Sequence, residues 1–278
     1  MKQIPYKCPK CSTELVLDEG SVQRVFACVN GHVFDEAKEG YVNLHLVEKK
    51  KSKNPGDDAE MMKSRRTFLN SGYYQKLAEA LVGYAKRVGL SEGSRLIDIG
   101  CGEGYYLECL SNAYDQLDAY GIDLSKHGAR LAAKRKAGAV ISVASAYDLP
   151  FFDGSFDVGL SVFSPISPEE VHRVLRPGGY LIMVGPGAGH LTQLAKLIYE
   201  SNVPHRGNFD ALNGSSNFSL VDASLLKLQE NVRGCDLPNL LRMTPYYWKA
   251  TPEQQSNIAA LSGLLVDLEF EVKVFQAH

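Results

Sequence analysis

Apolar positions between residues 74 and 88 recur at helical spacing, with Leu77, Leu81, Tyr84 and Val88 on one face. A more polar helix is predicted over 59–69, with Met61, Met62, Phe68 and Leu69 as its apolar contacts and Gly72 as its stop. Beyond residue 94 the pattern changes. Short apolar runs at 95–99, 119–123, 140–144, 156–162 and 180–184 read as strands, and the stretches 105–114 and 126–137 between them as helices. Near the end Val266, Leu268, Phe270, Val272 and Val274 alternate with polar residues, which predicts a closing strand pair over 264–275. Strands alternating with helices predict a parallel, doubly wound α/β sheet with right-handed crossovers.

The first 45 residues are turn-rich and have no long periodic helix. Residues 46–72 then carry Lys49, Lys50, Lys51 and Lys53 ahead of Pro55-Gly56-Asp57-Asp58, a charged linker followed by a helix. This divides the chain into a small module (1–45), a basic linker and helix (46–72) and a large domain (73–278). A length of 278 residues and 45% hydrophobic content suit one large core and one small one. No apolar run reaches the roughly 18 residues that would span a bilayer. Residues 1–6 lack the apolar core of a secretory signal, so a cytoplasmic protein with no membrane partner is expected. A net charge of -2 excludes a uniformly basic nucleic-acid binder but leaves room for a local basic patch.

Cysteine spacing sharpens the small module. Cys8-Pro9-Lys10-Cys11 is followed by Cys28 and His32, a C-x2-C, C-x3-H arrangement. Two close pairs joined by a hairpin-length spacer can place three thiolates and an imidazole around Zn²⁺. Such a closed set is structural, and metal binding would supply folding energy that so short a stretch cannot draw from a core. The alternative is three unlinked thiols and a surface histidine.

The large domain carries its chemistry at Leu96-Ile97-Asp98-Ile99-Gly100-Cys101-Gly102-Glu103-Gly104. A strand ending in Asp98 runs into alternating glycines that let the backbone approach a nucleotide-like ligand. A second strand ends on Asp123, placed to accept both ribose hydroxyls. With Asp153-Gly154-Ser155-Phe156-Asp157 and Leu175-Arg176-Pro177-Gly178-Gly179, this set resembles the class I methyltransferases, which bind S-adenosylmethionine in a Rossmann-like sheet. The resemblance implies that Asp98 lies near the methionine amino group, that Gly100, Gly102 and Gly104 permit close approach, and that Glu103 sits beside the ligand. It puts Ser145 at the adenine, where many members have an aspartate. Simpler roles compete at some positions: helix packing for Gly104, a buried filler for Cys101, a helix cap for Asp123.

Module and domain together are more specific. His32-Val33-Phe34-Asp35, Glu39-Gly40-Tyr41-Val42-Asn43, Glu60-Met61-Met62 and Arg65-Arg66, read with the glycine loop, closely resemble the bacterial 23S rRNA guanine-N1 methyltransferases almost end to end. That resemblance implies a guanine target in a hairpin lining the peptide exit tunnel of the large ribosomal subunit. It implies zinc on Cys8, Cys11, Cys28 and His32, and cofactor contacts from Tyr74, Gly102, Glu103 and His190. Phe163-Ser164-Pro165-Ile166 has Ile166 where some relatives have cysteine. Guanine N1 must lose a proton as it attacks the methyl group, so a base is required. His190 is the leading candidate, as base or as orienter of the methionine carboxylate, with Asp157 and Glu169 behind it. RNA contact is expected from Lys49, Lys50, Lys51, Lys53, Arg65 and Arg66, with Phe26, Phe34 and Tyr41 stacking on splayed bases. The helix with Lys126, Arg130, Lys134, Arg135 and Lys136 reads as a solvated face. Two modules in a homodimer could grip one hairpin. The competing functions are a small-molecule methyltransferase with a zinc accessory domain, and a zinc-dependent RNA-binding factor whose methyltransferase domain is inactive.

Overall fold

The computed structural model describes residues 6–18, 24–49, 56–199, 209–212 and 214–278. Three short antiparallel strands open the chain: β1 (Leu15–Asp18), β2 (Val25–Cys28) and β3 (Val33–Asp35). They bury little, but Tyr6 ahead of them stacks on Phe151 of the large domain at 5.1 Å and meets Phe26 of β2 edge-on at 5.4 Å. β4 (Tyr41–Asn43) keeps a single bridge to the end of the small sheet, Glu36 to Val42, and takes its place as a strand of the large one.

The chain continues through α1 (Ala59–Asn70), α2 (Gln75–Arg87), β5 (Arg95–Ile99), α3 (Tyr105–Ala113), β6 (Asp118–Asp123), α4 (Lys126–Ala133), β7 (Val140–Val143), β8 (Phe156–Val162), α5 (Pro168–Val174), β9 (Leu175–Pro186), α6 (Thr192–Lys196), β10 (Phe218–Arg233), α7 (Leu237–Arg242), α8 (Pro252–Ala259) and β11 (Gly263–Ala277). The eight-stranded sheet has the order β10-β11-β9-β8-β5-β6-β7-β4. Strands β4 to β9 pair in parallel, and β11 runs antiparallel to both β9 and β10. Helices cover both faces, so β5 is apolar on both sides. Leu96 packs in a cluster with Leu77 and Leu81 of α2, whereas Ile97 and Ile99 join Phe151, Phe156 and Val171 on the other face.

The strand order reverses at β5, between β6 and β8. Beyond the strand ends at such a reversal an α/β sheet opens its ligand crevice. There Gly100 N and Cys101 N both donate to the Ile122 carbonyl, at 2.9 and 2.8 Å, turning the chain from β5 toward α3.

Two expectations need correction. The alternating stretch near the C-terminus is one long strand, β11, and not a strand pair over 264–275; its partner is the 16-residue β10, unforeseen from the sequence. β10 lies at the sheet edge, and Ser219–Leu225 are all exposed; burial alternates only from Leu226 through Leu228 and Glu230 to Val232, too short a stretch to mark a 16-residue strand. The helix expected over 126–137 stops at Ala133, before Lys136 and Gly138 adopt left-handed backbone at φ 55° and 72°.

Candidate cofactor cavity and zinc centre

A cavity of about 610 Å³ opens at the ends of β5, β6, β8 and β9. The glycine loop forms its floor. At Gly100 (φ 78°) a Cβ would fall on the Ser164 hydroxyl, so that position tolerates no side chain. Gly102 (φ 56°) lines the cavity and donates its N–H to Asp123 Oδ2 at 2.8 Å. Gly104 does not line it: its absent side chain admits the Ala132 backbone of α4, which gives this glycine a packing role.

Asp98 is the strongly perturbed carboxyl of the cavity. It is 1% exposed, and its Oδ1 has no hydrogen-bond partner among the described residues. Burial, then the nearby charge of Asp123, push its carboxyl up to about 8. A buried carboxylate in that condition calls for a cation. Asp123 is organised differently. Its two oxygens accept from Gly102 N and from Ser125 N (2.7 Å), and each keeps a further lone pair. Burial raises this carboxyl too, against the two backbone donors that lower it. Ser125, not Asp123, caps α4, its hydroxyl accepting from Gly128 N at 3.3 Å.

Glu103 lines the cavity but is buried against Arg135 of the turn after α4, which donates from Nε to Glu103 Oε2 at 2.9 Å and also grips it through Nη2. Arg135 reaches Glu108 as well, so it belongs to a buried ion cluster and not to the solvated face expected of this segment. Burial raises the Glu103 carboxyl and the Arg135 charge opposes that. Cys101 is a buried thiol held well above its ordinary pKa by desolvation, an inert filler. Ser145 lines the wall, its hydroxyl accepting from Tyr147 N at 3.2 Å.

On the far side Tyr74 and His190 meet, Oη to Nε2, at 3.3 Å, both buried. Phe163 lies 5.8 Å from the His190 ring. The loop that carries His190 is tied to β11, with Gly187 N on the Glu269 carbonyl and Gly189 N on the Glu269 side chain, each at 2.9 Å. Asp157 and Glu169, the weaker base candidates, lie outside the cavity. Asp157 accepts from Arg95 N (2.7 Å) and pairs with Arg176, while Glu169 accepts from the Ser167 hydroxyl at the start of α5.

Sequence reasoning missed part of the wall. Arg65 of α1 lines the cavity and pairs with Asp57 at 3.3 Å, and the segment Met243, Thr244, Pro245 and Tyr246 closes it from almost 150 residues away. Arg65 is therefore no part of an outer phosphate stripe. Arg66 donates to the Leu131 carbonyl (3.0 Å) and Lys49 pairs with Asp148 (2.5 Å). Lys50, Lys51 and Lys53 lie outside the described residues. Phe26 and Tyr41 are core side chains, 2% and 5% exposed, and so cannot stack on RNA; Phe34 is half-buried.

The N-terminal ligands converge. One donor atom from each of Cys8, Cys11, Cys28 and His32 lies within 4.8 Å of the others. Cys11 and Cys28 sulfurs are 3.7 Å apart, and His32 Nδ1 is 3.6 Å from Cys8 Sγ and 3.5 Å from Cys28 Sγ. A tetrahedron built on Zn–S of about 2.3 Å and Zn–N of about 2.05 Å has edges of about 3.8 and 3.5 Å. The set fits zinc with no open position.

Comparison with known proteins agrees with both centres. Residues 97–183 match a family profile described as a methyltransferase domain, and residues 6–53 match the zinc-ribbon profile described as "RlmA, N-terminal". The chain is 33% identical to the 23S rRNA (guanine(748)-N(1))-methyltransferase of Streptomyces fradiae, over 93% of this chain and 91% of the relative. It is 29% identical to the putative 23S rRNA (guanine-N(1)-)-methyltransferase YxjB of Bacillus subtilis, over 97% and 96%. A fatty-acid O-methyltransferase of Mycolicibacterium smegmatis matches at 36%, but over only 33% of this chain and 36% of that one. Zinc ribbon, cofactor cavity and end-to-end similarity lead to one conclusion: the chain belongs to the 23S rRNA (guanine-N1)-methyltransferases, S-adenosylmethionine-dependent enzymes that methylate a guanine of 23S rRNA.

Proposed function

We propose that the target guanine lies in a 23S rRNA hairpin near the peptide exit tunnel and that the cavity residues divide the work as follows. Asp98 holds the cofactor's ammonium group; its burial without a hydrogen-bond partner at Oδ1 is the observation that carries this reading. Asp123 takes the ribose hydroxyls on its free lone pairs, Gly100 and Gly102 admit the ligand against bare backbone, Glu103 lies alongside with Arg135 behind it, and Ser145 meets the adenine edge. Gly104 supports the loop through its fit against Ala132. When bound, S-adenosylmethionine supplies an activated methyl group and its leaving group; the chain supplies position, dryness and proton removal.

His190 is proposed as the receiver of the guanine N1 proton. This uses the tautomer in which Nε2–H donates to Tyr74 Oη, leaving Nδ1 basic. Tyr74 suits the part, because burial raises its phenol and keeps it neutral. Cys8, Cys11, Cys28 and His32 hold a structural zinc in the ribbon (1–45), which with the linker (46–72) presents RNA to the catalytic domain (73–278). No helix among the described residues is long and apolar enough to cross a membrane, and we place the enzyme in the cytoplasm, as a homodimer offering two ribbons to one hairpin.

The test is transfer of labelled methyl from S-adenosylmethionine to unmodified 23S rRNA, followed by reverse transcription. N1 methylation blocks the Watson–Crick edge, so a new stop at a hairpin guanine is expected, beginning the search at the position named for the Streptomyces fradiae relative. Labelling without a stop at any guanine would overturn the N1 assignment.

A further inference from the structure

Trp248 is the sole tryptophan of the chain and is 64% exposed. Single exposed apolar side chains are ordinary, so exposure alone carries nothing; the surroundings do. Trp248 ends a 3-10 turn, residues Pro245–Trp248, whose first two residues line the catalytic cavity. The turn is rigidly seated. Tyr246 is buried, with Tyr199 at 5.8 Å, and Gln255 Nε2 donates to the Tyr247 and Ala250 carbonyls at 3.3 and 3.1 Å. Beside the exposed indole, Tyr247 stands edge-on at 5.3 Å. Arg242 lies 4.7 Å over the Tyr247 ring and donates to its hydroxyl. Lys249 follows, exposed, and the stretch 237–252 contains no carboxylate. An exposed flat ring on a turn that borders the cavity, with Arg242 on the neighbouring Tyr247 and Lys249 next in the chain, matches unpaired nucleotides: a π face for a base and positive charge for the flanking phosphates.

We infer that Trp248 is a stacking platform for a nucleotide adjacent to the target guanine. A guanine whose N1 must face the cofactor has to leave its helix, and its neighbours lose their stacking partner as it does so. A ring that replaces that partner favours the extruded state. This rests on RNA being the substrate. The platform sits on the methyltransferase domain, apart from the zinc ribbon, so it would bind RNA independently of the metal.

The lone tryptophan is its own probe. Zinc-loaded protein titrated with a 23S rRNA hairpin fragment should lose indole emission saturably, and a fully paired duplex of equal length should quench far less. Trp248→Ala should raise KM for the RNA about 5- to 150-fold, the range for loss of one base–aromatic stack, with kcat and the dissociation constant for S-adenosylhomocysteine unchanged. Trp248→Phe should recover most of the lost affinity. Indole emission unmoved at saturating hairpin, or a Trp248→Ala variant with the wild-type KM, overturns the inference. If the alanine variant also loses S-adenosylhomocysteine binding, the turn has collapsed, and the phenylalanine variant decides: near-wild-type KM supports stacking, a KM as poor as that of alanine refutes it. Failure of the wild-type enzyme to methylate any rRNA fragment would instead count against the hairpin assignment, and hairpin quenching would still decide for or against the platform.

Discussion

Asp98→Asn should make the cofactor-free protein more stable at neutral pH while disabling its cofactor site. The folded protein holds the Asp98 carboxyl up to about 8, by burial and then by the charge of Asp123, against an ordinary aspartate near 3.8. Between those values the native state keeps a proton that the unfolded chain releases, so stability falls as pH rises across that window, by ~1.4 kcal/mol per pH unit. At pH 7 the accumulated cost is about 4 kcal/mol. The asparagine amide does not titrate, although its own unmet hydrogen bonds cost about 1–3 kcal/mol at every pH. That offset cancels when two pH values are compared. Relative to wild type, the variant should therefore gain about 3 kcal/mol between pH 5 and pH 7. Urea unfolding of zinc-loaded, cofactor-free protein at both pH values measures it, and zinc-ligand protonation affects both proteins alike. A variant-minus-wild-type difference that does not move with pH would refute the reasoning. By calorimetry the same substitution should weaken S-adenosylhomocysteine binding by about 1.5–3 kcal/mol, the worth of a charged hydrogen bond.

Two other substitutions separate the parts of the molecule. Gly104→Ala forces a side chain into left-handed backbone at φ 88° and onto the Ala132 backbone; strain and overpacking together should cost about 2–5 kcal/mol. Unfolding free energy should fall, and an unaltered denaturation midpoint would remove the packing role. Cys8→Ser should release zinc, measured by metal stoichiometry, and weaken RNA binding while cofactor affinity holds. Full RNA affinity in the zinc-free variant would refute the ribbon's role.

What the sequence made legible was local or fixed by covalent spacing. Asp98 and its glycines announce a strand-to-loop turn because the backbone there needs φ values that other residues avoid, as at Gly100 and Gly102. The zinc ligands announce themselves because two short spacings can be closed by one ion. The cavity's far wall was not legible, since Arg65 and the Met243–Tyr246 segment meet only through the packing of α1 against α7. Nor was the fate of Tyr41 and Phe26, whose aromatic faces suit base stacking and core packing equally; contact with the large domain decided it. β10 was not legible because its first half, Ser219–Leu225, is wholly exposed and its alternation is confined to Leu226, Leu228, Glu230 and Val232.

β4 decides where this chain can be divided. Tyr41–Asn43, beyond the last ribbon strand, pairs with β7 and closes that edge of the large sheet, with Val42 and Leu44 in its core. A catalytic domain cut free at residue 45 would expose the N–H and C=O groups of β7, the kind of edge along which sheets associate. The ribbon is thus not a cartridge that unclips at the linker. A chimera that swaps RNA-reading modules has to keep residues 41–44 with the sheet they complete, so the workable junction lies ahead of Tyr41, inside what the sequence presents as the ribbon.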